Sequence, residues 1–75
     1  SPVDRGYRAL EAGDLETARL EYQRALSMDR ANRDALLGLA AIDMRTQNYA
    51  SAEARYMRLL EMDPRDPYAQ AGMVT

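Results

Sequence analysis

The sequence has no cysteine and no histidine. Without cysteine there is neither a disulfide framework nor a thiolate nucleophile, and without histidine the usual acid/base near neutral pH and the commonest metal ligand are missing. These absences remove most familiar active-site chemistry and leave the redox compartment open. No uninterrupted apolar run exceeds a few residues, so no segment is expected to span a bilayer, and the N-terminal stretch lacks the apolar core of a signal peptide. Charge of one sign is scarce as well: ten basic and twelve acidic residues interleave to a net of -2. Without a concentrated positive face to exchange phosphate counterions, nucleic acid is not an expected partner. Lysine is absent, and all ten basic residues are arginine, which fits the coding bias of a GC-rich bacterial genome better than a binding device. At 75 residues and 8.5 kDa the chain is at most one small domain with a modest core.

What is present is a repeat. Shifting the sequence by 34 residues places Ala18 on Ala52, Tyr22 on Tyr56, Arg24 on Arg58, Leu26 on Leu60, Met28 on Met62 and Asp29 on Asp63. Conservative matches fill the gaps, among them Asp14 with Asn48, Leu15 with Tyr49, Thr17 with Ser51 and Gly6 with Ala40. The register runs on, since Ala35 and Gly38 fall on Ala69 and Gly72. A fixed period of this length marks stacked supersecondary units.

Turn-forming residues cut each unit into two helices. The first helix is expected over about Val3 to Ala12, ended by Gly13 in the left-handed conformation, with Asp14 capping a second helix over about Leu15 to Met28. Asn32 or Asp34 can cap a third over about Arg33 to Thr46, and Gln47-Asn48 makes the next turn. A fourth covers about Tyr49 to Met62 and cannot pass Pro64, while Asp66-Pro67 reads as cap and first position of a fifth, to about Val74. Apolar residues recur at three and four positions, as in Leu15, Ala18, Tyr22, Ala25 and Leu26, and nowhere alternate with a period of two. The pairs Asp4/Arg8, Glu16/Arg19 and Arg58/Glu61 are spaced as helix-surface neighbours and read as solvated faces.

These residues resemble the tetratricopeptide repeat, a two-helix unit with small and large apolar residues at fixed places and a proline near its end. In the second unit Leu36, Leu39 and Ala40 stand at the family's positions of the first helix, Tyr49, Ala52 and Tyr56 at those of the second, and Pro64 at the terminal proline. The resemblance implies an all-α fold of antiparallel helix-turn-helix repeats, an α-solenoid with two full units and the first helix of a third. The units are expected at residues 1–32, 33–66 and 67–75. Departures are local. Pro2 and Arg5 fall where the pattern has large apolar residues, so the first helix is expected to be loosely packed or cut short. Asp43 takes a place usually aromatic, Leu59 one usually small, and Arg30 replaces the proline ending the first unit.

In the family, the first helix of each unit lines a concave face where peptides bind. Carried onto this sequence, that face comprises Tyr7, Leu10 and Glu11 from the first unit, Asp34, Leu37, Gly38, Ala41, Met44 and Arg45 from the second, and Tyr68 and Gly72 beyond them. An apolar groove of Tyr7, Leu37, Ala41 and Met44, edged by Glu11 and Arg45, suits a partner segment with apolar anchors, and Met44 can repack around different ones. Tyr22 and Tyr56 repeat in register on the second helices and are expected to be structural. The family's carboxylate clamp for chaperone tails is not expected, because its places hold Val3, Tyr7, Gly38, Tyr68 and Gly72. No glycine-rich phosphate loop or carboxylate constellation is apparent, so neither catalysis, cofactor nor metal is expected. The expected role is a scaffold for a protein or peptide partner, in a bacterial pilus, secretion or envelope assembly of cytoplasm or periplasm. The alternative is a spacer or self-association segment, because an incomplete third unit leaves an apolar edge that arrays elsewhere cap.

Overall fold

A computed structural model describes residues 1–74, and among them the chain forms five helices and no strand: α1 Pro2–Glu11, α2 Leu15–Met28, α3 Arg33–Arg45, α4 Tyr49–Met62 and α5 Pro67–Val74. Thr75, the end of the expected third segment, lies outside the described residues. Helices of this length are marginal alone and depend on packing one apolar face. Here each packs on the next, and α1 also touches α3, giving an array of 28 × 25 × 17 Å.

The helix starts follow from side-chain acceptors for the free amides of the first turn. Asp14 Oδ1 accepts from the Thr17 amide at 3.1 Å, Asn32 Oδ1 from Ala35 at 3.0 Å, and Ser1 Oγ from Asp4 at 3.3 Å. Asn32, rather than Asp34, is therefore the cap of α3. Asn48 departs from the pattern, for its amide donates to Thr46 Oγ1 at 3.0 Å and no side chain caps α4. Both α1 and α3 stop one residue earlier than expected, with Ala12 and Thr46 as C-caps.

The turns repeat atom for atom at the 34-residue offset. Asp14 N–H donates to Ala9 O at 2.9 Å and Gly13 N–H to Leu10 O at 3.0 Å; Asn48 donates to Asp43 O at 2.8 Å and Gln47 to Met44 O at 3.2 Å. Both are Schellman closures, and they require a left-handed residue, which is Gly13 with φ of 78° in one and Gln47 with φ of 62° in the other. The longer connections match too: Asp29 and Asp63 each accept from the amide two residues on at 3.0 Å. Arg30 thus stands where the second unit has Pro64 without altering the turn.

Small residues set the helix spacing. Ala18, Ala35, Ala40, Ala52 and Ala69 are buried, and Leu39, Ile42 and Leu59 fill the space beside them. The core is two clusters rather than one, Leu10/Ala18/Tyr22/Ala25/Ala35/Leu39/Ile42 and Leu36/Leu59/Ala69, with Leu26 packed against both. This is the quasi-linear packing of a repeat array. The shorter first helix is as expected, 10 residues against 13 in α3. It is not loosely held, for Leu10 is buried in the first cluster and Arg5, in place of a large apolar residue, sets its Nε 3.3 Å from the buried Glu21 Oε1.

The arginines do not make the same-helix pairs expected from spacing. Arg19 leaves Glu16 for Asp43 Oδ1 at 3.4 Å, and Arg55 reaches Asp43 Oδ2 at 3.0 Å, so the buried carboxylate at the usually aromatic place ties α2, α3 and α4 together. A carboxylate buried in this way is tolerable only when both oxygens are matched by cations.

Candidate partner-binding groove

The groove is built around a tyrosine. Tyr22, on α2, inserts its ring between α1 and α3, and both helices present glycine to it. A Cβ at Gly38 would lie 2.4 Å from Tyr22 Cε2 and Cζ, and one at Gly6 3.0 Å from Cδ1. Glycine is thus what lets these backbones close over the ring. The pattern recurs one unit on, where Tyr56 packs against Gly72 of α5.

Above Tyr22 the first helices α1 and α3, joined by the start of α5, leave an open cleft of ≈ 720 Å³. Seven of the eleven residues expected on the concave face line it: Tyr7 and Leu10 from α1, Asp34, Leu37, Gly38 and Ala41 from α3, and Tyr68 from α5. Tyr7 and Tyr68 offer the most apolar surface, being 57% and 66% exposed, and Leu37 and Ala41 are half-buried between them. Leu10 contributes little surface because it is mostly committed to the core.

The other four, Glu11, Met44, Arg45 and Gly72, lie apart from this cleft. Met44 faces a second cleft of ≈ 400 Å³ with Tyr49, Tyr56, Gly72 and Met73. Arg45 donates from Nη1 to the Leu10 carbonyl at 3.5 Å, near the C-terminal end of α1, where a cation complements the helix dipole. Glu11 is exposed at the same end. Expecting Met44 in one continuous groove with Tyr7 overlooked how far along α3 it sits. Arg8 and Arg33 also line the larger cleft; spacing places Arg8 with Asp4 on a solvated face, and Arg33 shows in the sequence only as the neighbour of Asp34.

Electrostatics at the cleft are set by two carboxylates with opposite fates. Asp66 is buried and accepts from Arg33 Nε at 2.7 Å and Nη2 at 3.3 Å, while its Oδ1 caps α5 through the Tyr68 and Ala69 amides at 3.0 and 3.2 Å. The Arg33 hydrogen bond holds the Asp66 carboxyl below its usual range against the opposing effect of burial. Arg33 also lies 5.6 Å from the Tyr68 ring centroid, a cation–π distance. Asp34, by contrast, is exposed on the cleft and forms no ion pair among the described residues. Burial pushes the Tyr22 phenol up, and the negative charge of Asp34 and Glu11 and the Tyr7 phenol add to that, so the hydroxyl keeps its proton.

Hairpins of paired helices, repeated at a fixed offset and stacked to leave one face open, define a helical-repeat protein. The sequence model of the tetratricopeptide repeat matches residues 9–73, and the chain belongs to that family. Neither a search of curated proteins nor one of solved structures gives a match. The family is generally a non-enzymatic repeat that mediates protein–protein interaction. Among the described residues no helix is long and apolar enough to cross a membrane, and no three potential ligand residues cluster as a metal site would need.

Proposed function

We propose that this chain is a scaffold that holds a segment of a partner protein in the cleft between α1, α3 and α5. The division into units at 1–32, 33–66 and 67 onward is part of that reading, for it makes these three the first helices. The observation that carries it is the exposure of Tyr7 and Tyr68 across a ≈ 720 Å³ cleft floored by Leu37 and Ala41. Rigid aromatics beside aliphatic side chains are the usual anchors of a bound peptide. The role asks for no catalytic residue, metal or cofactor. The arginine-only composition supports a bacterial setting, and the family resemblance suggests pilus, secretion or envelope machinery there.

The test is to select peptides from a displayed random library on the whole protein and titrate one into labelled protein. Amide shifts should concentrate at Tyr7, Leu37, Ala41 and Tyr68, and Leu37→Asp should abolish binding while helicity is kept. Shifts confined to α2 and α4 would sink the reading. A second reading, self-association, is favoured by Met73 and Val74 on α5, which are exposed although their counterparts 34 residues earlier, Leu39 and Ala40, are fully buried. Molecular mass measured at rising concentration separates the two, since a persistent monomer counts against self-association.

A further inference from the structure

The cleft carries more than apolar surface. Asp34 stands on its wall with a carboxylate that forms no ion pair among the described residues, because Arg33 beside it, though it feels the Asp34 charge, is taken by Asp66. The Tyr22 ring is fixed between Gly6 and Gly38, Tyr22 lines the cleft, and its hydroxyl has no hydrogen-bond partner among the described residues. Tyr7 adds an exposed aromatic ring on the facing helix. A carboxylate, an unpaired hydroxyl oxygen and a free aromatic face are together the surroundings a guanidinium or ammonium prefers.

Other charges near the cleft do not cancel this. Asp4 adds a second carboxylate to the lining, Arg33 is spent on Asp66 and Arg45 is turned to the Leu10 carbonyl, which leaves the exposed Arg8 as the cation opposing the two carboxylates. At the floor, burial is the main cause that raises the Tyr22 phenol, and the charges of Asp34 and Glu11 add to it.

We infer that the bound segment is basic, setting an arginine or lysine side chain against Asp34, the Tyr22 hydroxyl and the Tyr7 ring, with a neighbouring apolar side chain on Leu37 and Ala41. The inference rests on the groove reading above and specifies its occupant. It is the opposite charge preference to a clamp for acidic tails.

The library-selected peptides provide the probe. Arginine or lysine should be enriched beside an apolar residue, and affinity for a resynthesised peptide should fall as salt is raised. Asp34→Asn should weaken binding by about fivefold and reduce the salt dependence, as expected for one partly exposed charge pair. Tyr22→Phe keeps the ring and should weaken binding by about threefold, roughly the loss of one modest hydrogen bond, with the melting temperature unchanged. Neutral or acidic peptides that bind through Leu37 yet ignore Asp34→Asn overturn the basic occupant and leave the groove standing. Binding that survives Leu37→Asp, or no enriched peptide at all, removes the groove and the inference with it.

Discussion

Gly38 and Gly6 press on opposite sides of the Tyr22 ring at different distances, and the difference predicts different outcomes for the same substitution. Alanine is favoured over glycine inside a helix by about 1 kcal/mol. At Gly38 the new methyl would fall 2.4 Å from a ring that is 97% buried by its 3% exposure and cannot swing away, because Gly6 closes its other side. Overpacking of this kind costs about 1–3 kcal/mol, so Gly38→Ala should be destabilising overall. At Gly6 the closest approach is 3.0 Å, and a small shift can absorb it, so Gly6→Ala should be near neutral. Chemical denaturation of the two variants checks the order; equal losses would mean that the ring moves freely. Such glycines were visible in the sequence only as members of the repeat, Gly38 matching Gly72, and their reason appears only with the ring between them. Asp43 was visible as an anomaly and nothing more. Its partners Arg19 and Arg55 lie on two other helices, and spacing along one helix had pointed Arg19 at Glu16 instead.

The helices themselves were largely legible, since their ends depend on local chemistry that the sequence states directly. Asp14, Asn32 and Asp66 cap α2, α3 and α5, and Pro64 follows α4, which is why those limits agree with expectation. The one-residue differences at Ala12 and Thr46 fall where fraying ends are always ambiguous. Between α3 and α4 the structure uses the same left-handed closure as between α1 and α2, but fills it with Gln47 at φ 62° where the first turn has Gly13. A non-glycine residue there costs roughly 1–2 kcal/mol, and glycine gives back part of that through its freer unfolded chain. Gln47→Gly should therefore raise stability by about 0.5–1 kcal/mol, read as a higher urea midpoint with an unchanged slope. A lower midpoint would show that the Gln47 side chain contributes something the backbone does not reveal.

Stability and the candidate groove meet at the attachment of α5, because a repeat array holds each helix only through its neighbours. Besides Tyr56 on Gly72, two things fasten α5: Ala69 buried against Leu36 and Leu59, and the ion pair of Arg33 with Asp66 that also brings Tyr68 to the cleft. The second was hidden in the sequence, since it joins residues 33 apart and Asp66 read only as a cap. Its consequence is a definite pH dependence. The Asp66 carboxyl is held below its usual range by Arg33 and by the Tyr68 and Ala69 amides. Its ionised form therefore favours the folded state above about pH 3.9, the ordinary carboxylate value, and that contribution declines as pH falls toward the lower folded value. Asp66→Asn keeps an acceptor for the helix cap and removes the charge. The variant should melt below the natural protein at neutral pH, and the gap should narrow once pH drops below about 4, where the Asp66 carboxyl of the unfolded chain begins to take up its proton while the folded one still resists it. Thermal melts followed by helicity between neutral and strongly acid pH measure both curves. A gap that stays constant to the acid end would assign the loss to hydrogen-bond shape instead of charge, and would leave Arg33 without its part in presenting Tyr68 to a partner.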